Sequence, residues 1–357
     1  MMSAMKETFN VLPRLSFRWV KANELLLNSM EVALDKTYKT HELQGEGYQA
    51  LQKEDLPLSS EFKGVNEQMV AMAEEHHNTG LYIHVGENEE KEIHVTHVLD
   101  AHNSVLIEKN VIVLEKGAKM NLIMDYSSDE TETFSNILNK IKVSEGAELN
   151  LIKIQRLNSF SRHLESRFST VEAAGKVNYI SVELGGKEAV VNYMTDLKGD
   201  ESEGHVKSVY LGFGERVIDL SHHMNHFGKR TNSDMIFKGA LKDKSKKAFR
   251  GTLDFKNGST HSEGNEEEFT ILLSPKVKSY AIPLLLCRED DVIGNHAASN
   301  GQIDEEKLFY IMSRGMSESE AKKIIIESHI RPIIDLIPVE SIKDIILAAV
   351  EKELTGE

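Results

Sequence analysis

The sequence predicts a mainly β fold, in which a β-helical core lies between helical terminal regions. Three observations support this class. Apolar and polar residues alternate with the strand period of two in the stretch GLYIHVGENEEKEIHVTHVL. A turn phrase then recurs at near-constant spacing, and the end of the chain changes to helical periodicity.

The N-terminal region, residues 1–80, is expected to be mostly helical and irregular. Its best helix is NEQMVAMAEEHHNTG, in which Asn66 can cap the first turn. Met69 and Ala73 recur at helical spacing, and Gly80 is expected to end the helix.

The predicted core, residues 81–290, carries the turn phrases EKGAKMNLI, SEGAELNLI and EAAGKVNYI. They align on Asn121, Asn150 and Asn178, which are 29 and 28 residues apart. Such a repeat is typical of a solenoid, whose coils bury their apolar faces on their neighbours. Short β runs without long intervening helices favour a β-helix over an α/β repeat. An antiparallel sandwich also spaces its strands regularly and stays open as an alternative.

The C-terminal domain, residues 291–357, is predicted to be helical. Asp304 can cap one helix that Gly315 ends, and Ser317 with Glu320 forms the S-x-x-E capping box of the next. The apolar stripe of the last helix comprises Ile342, Ile345, Ile346, Ala349 and Val350. A short helix with this stripe must dock, either on its own domain or in a groove of a partner.

Composition excludes several classes of protein. The 357 residues contain 57 acidic and 42 basic side chains, for a net charge of −15. This balance argues against nucleic acid or an anionic membrane as the main partner. The N-terminus lacks the apolar core of a signal peptide, and no apolar run is long enough to span a membrane, so we expect a cytoplasmic protein.

A single cysteine, Cys287, limits the possible thiol chemistry. One cysteine allows no intrachain disulfide and no self-contained thiolate zinc or four-cysteine cluster site. Because Cys287 ends the apolar run AIPLLLC, we expect its thiol to be buried and unreactive.

Two clusters of titratable residues each allow a chemical and a structural interpretation. His222, His223 and His226 lie within DLSHHMNHFGKRT; they either bind a metal or line an edge of the solenoid. The glutamates Glu266, Glu267 and Glu268 could perform acid–base chemistry, but three consecutive acids before a strand favour a solvated turn.

His296, in EDDVIGNHAASNGQ, is the third candidate. Glu289, Asp290 and Asp291 precede it, and together these residues offer the nitrogen and oxygen ligands that suit iron or zinc. The alternative is a histidine hydrogen-bonded to backbone carbonyls at a domain boundary. One chain supplies too few clustered ligands for a closed site, so a second subunit would have to supply the rest.

The segment PLLLCREDDVIGNHAASNGQIDEEKLFYIMSRGMSESEA closely resembles the C-terminal signature of the SufB/SufD family, the scaffold subunits of the SUF iron–sulfur cluster assembly machinery. The matching residues are Asp290, Asp291, Val292, His296, Gly301, Ile303, Asp304, Leu308, Phe309, Tyr310, Ser313, Arg314 and Gly315. Upstream, DMIFKGALKDKSKKAFRGTLDF resembles the core repeats, so the likeness covers roughly residues 80–357.

This resemblance implies a right-handed parallel β-helix between helical domains. It also implies a non-enzymatic scaffold that pairs through its β-helix with a SufB-type paralogue or with itself, and that binds the SufC ATPase through its C-terminal helices. His296 matches the histidine that a SufD-type subunit contributes to the shared interface. Iron or a transient iron–sulfur cluster would lie at that interface, with no cofactor held stably by this chain alone.

Two departures favour a SufD-like subunit over a sulfur acceptor. Many SufD-like sequences carry a cysteine two residues before the histidine, where this chain has Gly294. The segment SPKVKSYAIP also lacks the cysteine of the SufB type. Two other functions stay open: a homodimeric SufB-like scaffold that works with the ATPase alone, and a β-helix enzyme that acts on polysaccharide.

Overall fold

A computed structural model of the chain describes residues 6–13, 22–39, 42–45, 48–50 and 55–355. The first elements are strands β1 (Lys6–Phe9), β2 (Leu25–Asn28), β3 (Glu42–Gly45) and β4 (Tyr48–Ala50), followed by helix α1 (Glu67–His76).

Helix α1 confirms the predicted N-terminal helix, because the Asn66 side chain accepts a hydrogen bond from the Met69 N–H at 2.8 Å. The helix ends at His76, before Gly80. The other described residues before the core form short strands and irregular segments, so this region is less helical than the sequence predicts. Single apolar side chains such as Phe9 anchor these segments to the core, without the long apolar stripe that a helix needs.

Sixteen strands of the core follow. They are β5 (Leu81–Val85), β6 (Glu90–Leu99), β7 (Val105–Leu114), β8 (Lys119–Ser128), β9 (Phe134–Val143), β10 (Glu148–Arg156), β11 (Arg162–Val171), β12 (Lys176–Glu183), β13 (Glu188–Leu197), β14 (Glu203–Gly212), β15 (Val217–His226), β16 (Asn232–Leu241), β17 (Lys246–Phe255), β18 (Ser262–Leu272), β19 (Lys278–Cys287) and β20 (Val292–Gln302).

These strands form a parallel β-solenoid of about eight turns. Each turn adds one strand to an odd sheet, which runs from β5 to β19, and one to an even sheet, which runs from β6 to β20. The strands β4 and β3 pair antiparallel at the start of the odd and even sheets. The parallel pairing confirms the β-helix and excludes the antiparallel sandwich.

The turn phrase marks the same position in three successive coils, as its spacing predicts. Asn150 lies in register with Asn121 and Asn178, and its amide bridges both: Asn150 Nδ2 donates to Asn121 Oδ1 at 3.0 Å, and Asn178 Nδ2 donates to Asn150 Oδ1 at 2.8 Å. The turn before each asparagine needs a left-handed residue. Gly117 and Gly146 supply it with φ of 69° and 65°, and Ala174 adopts 52° in the third copy.

Three layers of packing hold the solenoid. The largest apolar cluster lies between the two sheets. On the outer face of the odd sheet, Phe9 and Met69 of the N-terminal region pack against Leu164 and Val190. The C-terminal helices are α2 (Glu305–Met312), α3 (Glu318–Ile334) and α4 (Glu340–Thr355). Of these, α3 and α4 cover the outer face of the even sheet, whereas α2 packs against α3 and buries none of its residues.

The last helix docks on its own domain. Ile342, Ile346 and Val350 of α4 are buried in one cluster with α3 and the even sheet, whereas Ile345 stays partly exposed. The capping box of Ser317 and Glu320 at the start of α3 is also confirmed. None of the helices in the described part of the chain is both long and apolar enough to cross a membrane.

Candidate functional site at the open end of the solenoid

The solenoid ends on two strands that each have a free edge. Strand β19 is the last of the odd sheet and β20 the last of the even sheet. Eight of the 11 residues of β20 are exposed. A long strand with one unpaired edge presents a row of free backbone N–H and C=O groups, which favours pairing with another chain.

His296 lies in the middle of β20 and is exposed. The sequence places it in a small-residue turn at a domain boundary, but the solenoid extends through Gln302 and the helices begin only at Glu305. The reason is register: β20 pairs with β18 residue by residue, so the sheet and not local strand propensity makes this segment extended. No described residue hydrogen-bonds to the His296 imidazole, so no backbone carbonyl of the described chain holds the ring.

The acids that precede His296 lie in the turn before β20, and two of them, Glu289 and Asp291, have other partners. Glu289 accepts a hydrogen bond from the Gly258 N–H at 3.0 Å, and a carboxylate oxygen of Asp291 lies 2.9 Å from His261 Nδ1. None of the contacts in the described part of the chain joins these acids to His296.

The neighbour of His296 in the sheet is Glu266, its Cα partner on β18. Both oxygens of the Glu266 carboxyl group are buried and lack a hydrogen-bond partner among the described residues. Burial and the nearby Glu268 raise the pKa of Glu266 to about 8. The sequence analysis did not pair these two residues. Glu266 and His296 are 30 residues apart, which is the length of one coil, and this spacing could have indicated that they are neighbours in the sheet.

The expectation that the three glutamates form a solvated turn is wrong for two of them. Strand alternation directs Glu266 and Glu268 into the solenoid and leaves Glu267 exposed. Lys247 forms an ion pair with Glu268 at 2.7 Å, which compensates the buried charge.

The prediction for Cys287 is also wrong, because its side chain is exposed. The apolar run AIPLLLC lies in strand β19, and no other strand of the described residues pairs with the free edge of this last odd strand. Partial burial and Asp254 raise the pKa of the Cys287 thiol, so the thiolate form is disfavoured.

The three clustered histidines lie along β15. His222 and His226 point into the solenoid, while His223 faces the opposite side and lines a cleft with Asn225 and Thr252. His226 is satisfied by hydrogen bonds to Thr231 Oγ1 at 2.7 Å and Ser233 Oγ at 2.9 Å. Within the described residues, no group of three or more His, Cys, Asp or Glu side chains is arranged to hold a metal ion.

Comparisons with known proteins identify similar sequences among iron–sulfur cluster assembly proteins. A family model described as "SUF system FeS cluster assembly, SufBD core domain" matches residues 97–329. The iron–sulfur cluster assembly protein SufD of Bacillus subtilis is 25% identical over 282 residues, which are 78% of this chain and 64% of that protein.

Other relatives show that the similarity is not confined to one subunit type. The iron–sulfur cluster assembly protein SufB of Bacillus subtilis is 24% identical over 262 residues, 73% of this chain and 56% of that protein. A SufBD family protein of Mycobacterium leprae is 23% identical over 74% of this chain and 31% of its own length. The chain thus spans between about a third and two thirds of these relatives. Because the family model matches more than half of the chain, the protein belongs to the SufBD family.

Proposed function

We propose that this chain is a SufD-like scaffold subunit of a SUF iron–sulfur cluster assembly complex, and that it is not itself an enzyme. In this proposal its open end pairs with a SufB-type subunit, and its C-terminal helices bind a SufC-type ATPase. The observation that carries the proposal is the pair of long strands with free edges, β19 and β20, together with the exposed His296 on β20.

The lack of a thiol beside His296 argues against a direct sulfur-accepting role for this chain and supports pairing with a thiol-bearing subunit. At Gly294 a Cβ would lie 2.7 Å from Leu285 Cδ1 and 3.1 Å from the Phe255 ring, so this position is tightly packed. A side chain there would displace both neighbours. The thiol chemistry of the complex would therefore come from the partner, and His296 would contribute an imidazole ligand for iron or a growing cluster.

An exposed apolar surface on and after α2 is the proposed ATPase contact. This α2 patch consists of Phe309, Tyr310, Met312 and Met316, and Phe309 and Tyr310 are 73% and 58% exposed. Large exposed apolar patches on soluble proteins commonly mark binding surfaces. The patch lies on the short helix that follows β20 in the chain and packs against α3, and no residue of that helix is buried.

Co-purification tests the proposal as a whole. The chain is expressed with a SufC-type ATPase and a SufB-type paralogue, and we expect one stable complex of the three. A complex of two copies of this chain with the ATPase, formed without the paralogue, would instead support the homodimeric SufB-like scaffold. A monomer that ignores the ATPase and binds oligosaccharide would contradict both.

Variants of the α2 patch test the ATPase contact. Because both side chains are exposed, F309A/Y310A should fold normally and lose ATPase binding, while pairing with the paralogue persists. Phe160, which is also exposed but lies in a turn of another coil, gives the control F160A. Equal ATPase binding by all three proteins would exclude the patch.

The role of His296 is tested separately. The variant H296A should assemble with both partners and yield less cluster in reconstitution, because only a ligand is lost from an exposed position. Wild-type cluster yield would return His296 to a structural role.

A further inference from the structure

One column of inward-facing residues changes from apolar to titratable side chains at the open end of the solenoid. Stacked residues of the even sheet run, one per coil, through Ile93, Leu122, Leu151, Tyr179, Val206, Met235, Glu266 and His296. The first six belong to the apolar cluster between the sheets. Only the last two coils place a carboxyl group and an imidazole in this column.

The carboxyl group of Glu266 is enclosed but not used by the described chain. The side chain is 1% exposed, and neither oxygen has a hydrogen-bond partner among the described residues. The fold makes room for it, because a Cβ at Gly251 would lie 2.2 Å from the Glu266 Cδ. A buried polar group without a partner destabilises a fold, so its presence here requires an explanation.

The surroundings of His296 leave its ring accessible above Glu266. The residues two positions before and after it on the same face of β20 are Gly294 and Ala298, whose side chains are small. Adjacent parallel strands are about 4.8 Å apart, so stacked side chains on one face can reach a common ion. Carboxylate oxygen and imidazole nitrogen together suit Fe²⁺, Zn²⁺ and Co²⁺.

We propose that Glu266 and His296 are two ligands of one divalent-cation site at the open end of the solenoid. This inference rests on the proposed function, because a partner subunit or water would complete the coordination. It adds Glu266 as a ligand from inside the solenoid, which gives the cation one buried and one exposed protein ligand.

Cobalt binding to the full chain tests the site without any cluster assembly. We measure the melting temperature with and without CoCl₂ for the wild type, E266M, E266Q, H296A and the control E267Q, whose residue is next in sequence but faces outward. Ligand binding to the folded state raises the melting temperature. Cobalt should raise it equally for the wild type and E267Q, and the shift should be lost in E266M, E266Q and H296A.

E266M also distinguishes a metal-binding role of Glu266 from a role in stabilising the fold. Methionine matches Met235 one coil below, so E266M should melt above the wild type when no cation is added, although it no longer responds to cobalt. A cobalt shift of wild-type size in E266M or E266Q, or no shift in the wild type, would overturn the inference. Either of these cobalt results can occur while the complex with the ATPase still forms. A failure of the cation site can therefore be distinguished from a failure of the proposed function.

Discussion

At the scale of single residues, the interior of the solenoid is unusual for its buried charges. Lys153 forms ion pairs with Glu183 and Glu165, and Arg167 pairs with Glu165 at 2.7 Å while its guanidinium lies 4.0 Å from the centre of the Tyr193 ring. Paired charges of this kind can be buried, because each partner compensates the desolvation of the other. His222 and Glu266 lie in the same interior, and their polar side-chain atoms have no such partner among the residues that the structure describes.

His222 makes the stability of the protein sensitive to acid. Its ring lies between Tyr193 and Phe237, with centroid distances of 4.8 and 4.7 Å, and burial lowers the pKa of His222 to about 3. An unfolded histidine has a pKa of about 6.5, so the unfolded state binds an additional proton below that pH. The contribution of the neutral His222 side chain to stability is therefore fully present above about pH 6.5 and is lost progressively as the pH drops towards 3.

We expect H222F to remove this contribution. Between pH 7.5 and 5, the free energy of unfolding of the wild type should fall by about 2 kcal/mol more than that of H222F, as measured by urea denaturation. Phenylalanine can fill the aromatic stack without a proton to bind. The exposed histidine variant H102N should behave like the wild type. An identical acid dependence of H222F and the wild type would show that His222 is not held neutral by the fold.

Gly239 is required by a side chain that crosses it. A Cβ at Gly239 would lie 2.1 Å from the Tyr210 ring, whose hydroxyl contacts Glu268 and lies 2.6 Å from Thr270 Oγ1. We expect G239A to lower the free energy of unfolding by about 2 kcal/mol or more in urea denaturation, because the ring must move. In G301A the new Cβ would lie 3.6 Å from Phe269, so that variant should change stability by less than about 0.5 kcal/mol. Equal losses of unfolding free energy in G239A and G301A would mean that the replacement of glycine itself, and not a clash with the Tyr210 ring, causes the change in stability.

At the scale of elements, α4 depends on burial more than on helix propensity. Ile346 is fully buried against α3, and its neighbour Ile345 is 36% exposed. Truncation of a buried isoleucine typically costs about 2–4 kcal/mol, so I346A should strongly increase amide exchange along α4. I345A is the matched control and should leave exchange nearly unchanged. Similar exchange in both variants would contradict the docking of α4 on the even sheet.

The elements that could be predicted from sequence are those with local signals. The caps at Asn66, Asp304 and Ser317 depend on residues within one turn, and all three are present. The spacing of the repeated asparagines predicted the number of residues in one coil, because identical side chains stack in a parallel ladder. These features need no knowledge of distant contacts.

The elements that sequence reasoning missed depend on distant partners. Strand β20 contains the small polar run GNHAASNG, which has little strand propensity and is extended only through its pairing with β18. Burial of Glu268 depends on Lys247, which lies on another strand. Exposure of Cys287 follows from its position on the last coil, which the local apolar run does not reveal.

At the scale of the whole molecule, the two ends of each sheet differ. At the start, β3 and β4 close the even and odd sheets with antiparallel pairs. At the other end, β19 and β20 are followed by no further strand within the described residues. Natural proteins usually cover or shorten such edges, so a pair of strands with 10 and 11 residues and free edges favours an end-on partner.

Hydrogen–deuterium exchange on β20 tests this end-on pairing most directly. Within residues 292–302, the amides that point away from β18 meet no further strand of the described chain, so they should exchange rapidly in the isolated protein. On addition of a SufB-type paralogue, we expect these amides and those of β19 to become protected, with little change in the first coils. A complex in which β19 and β20 exchange as rapidly as in the free chain would contradict the account.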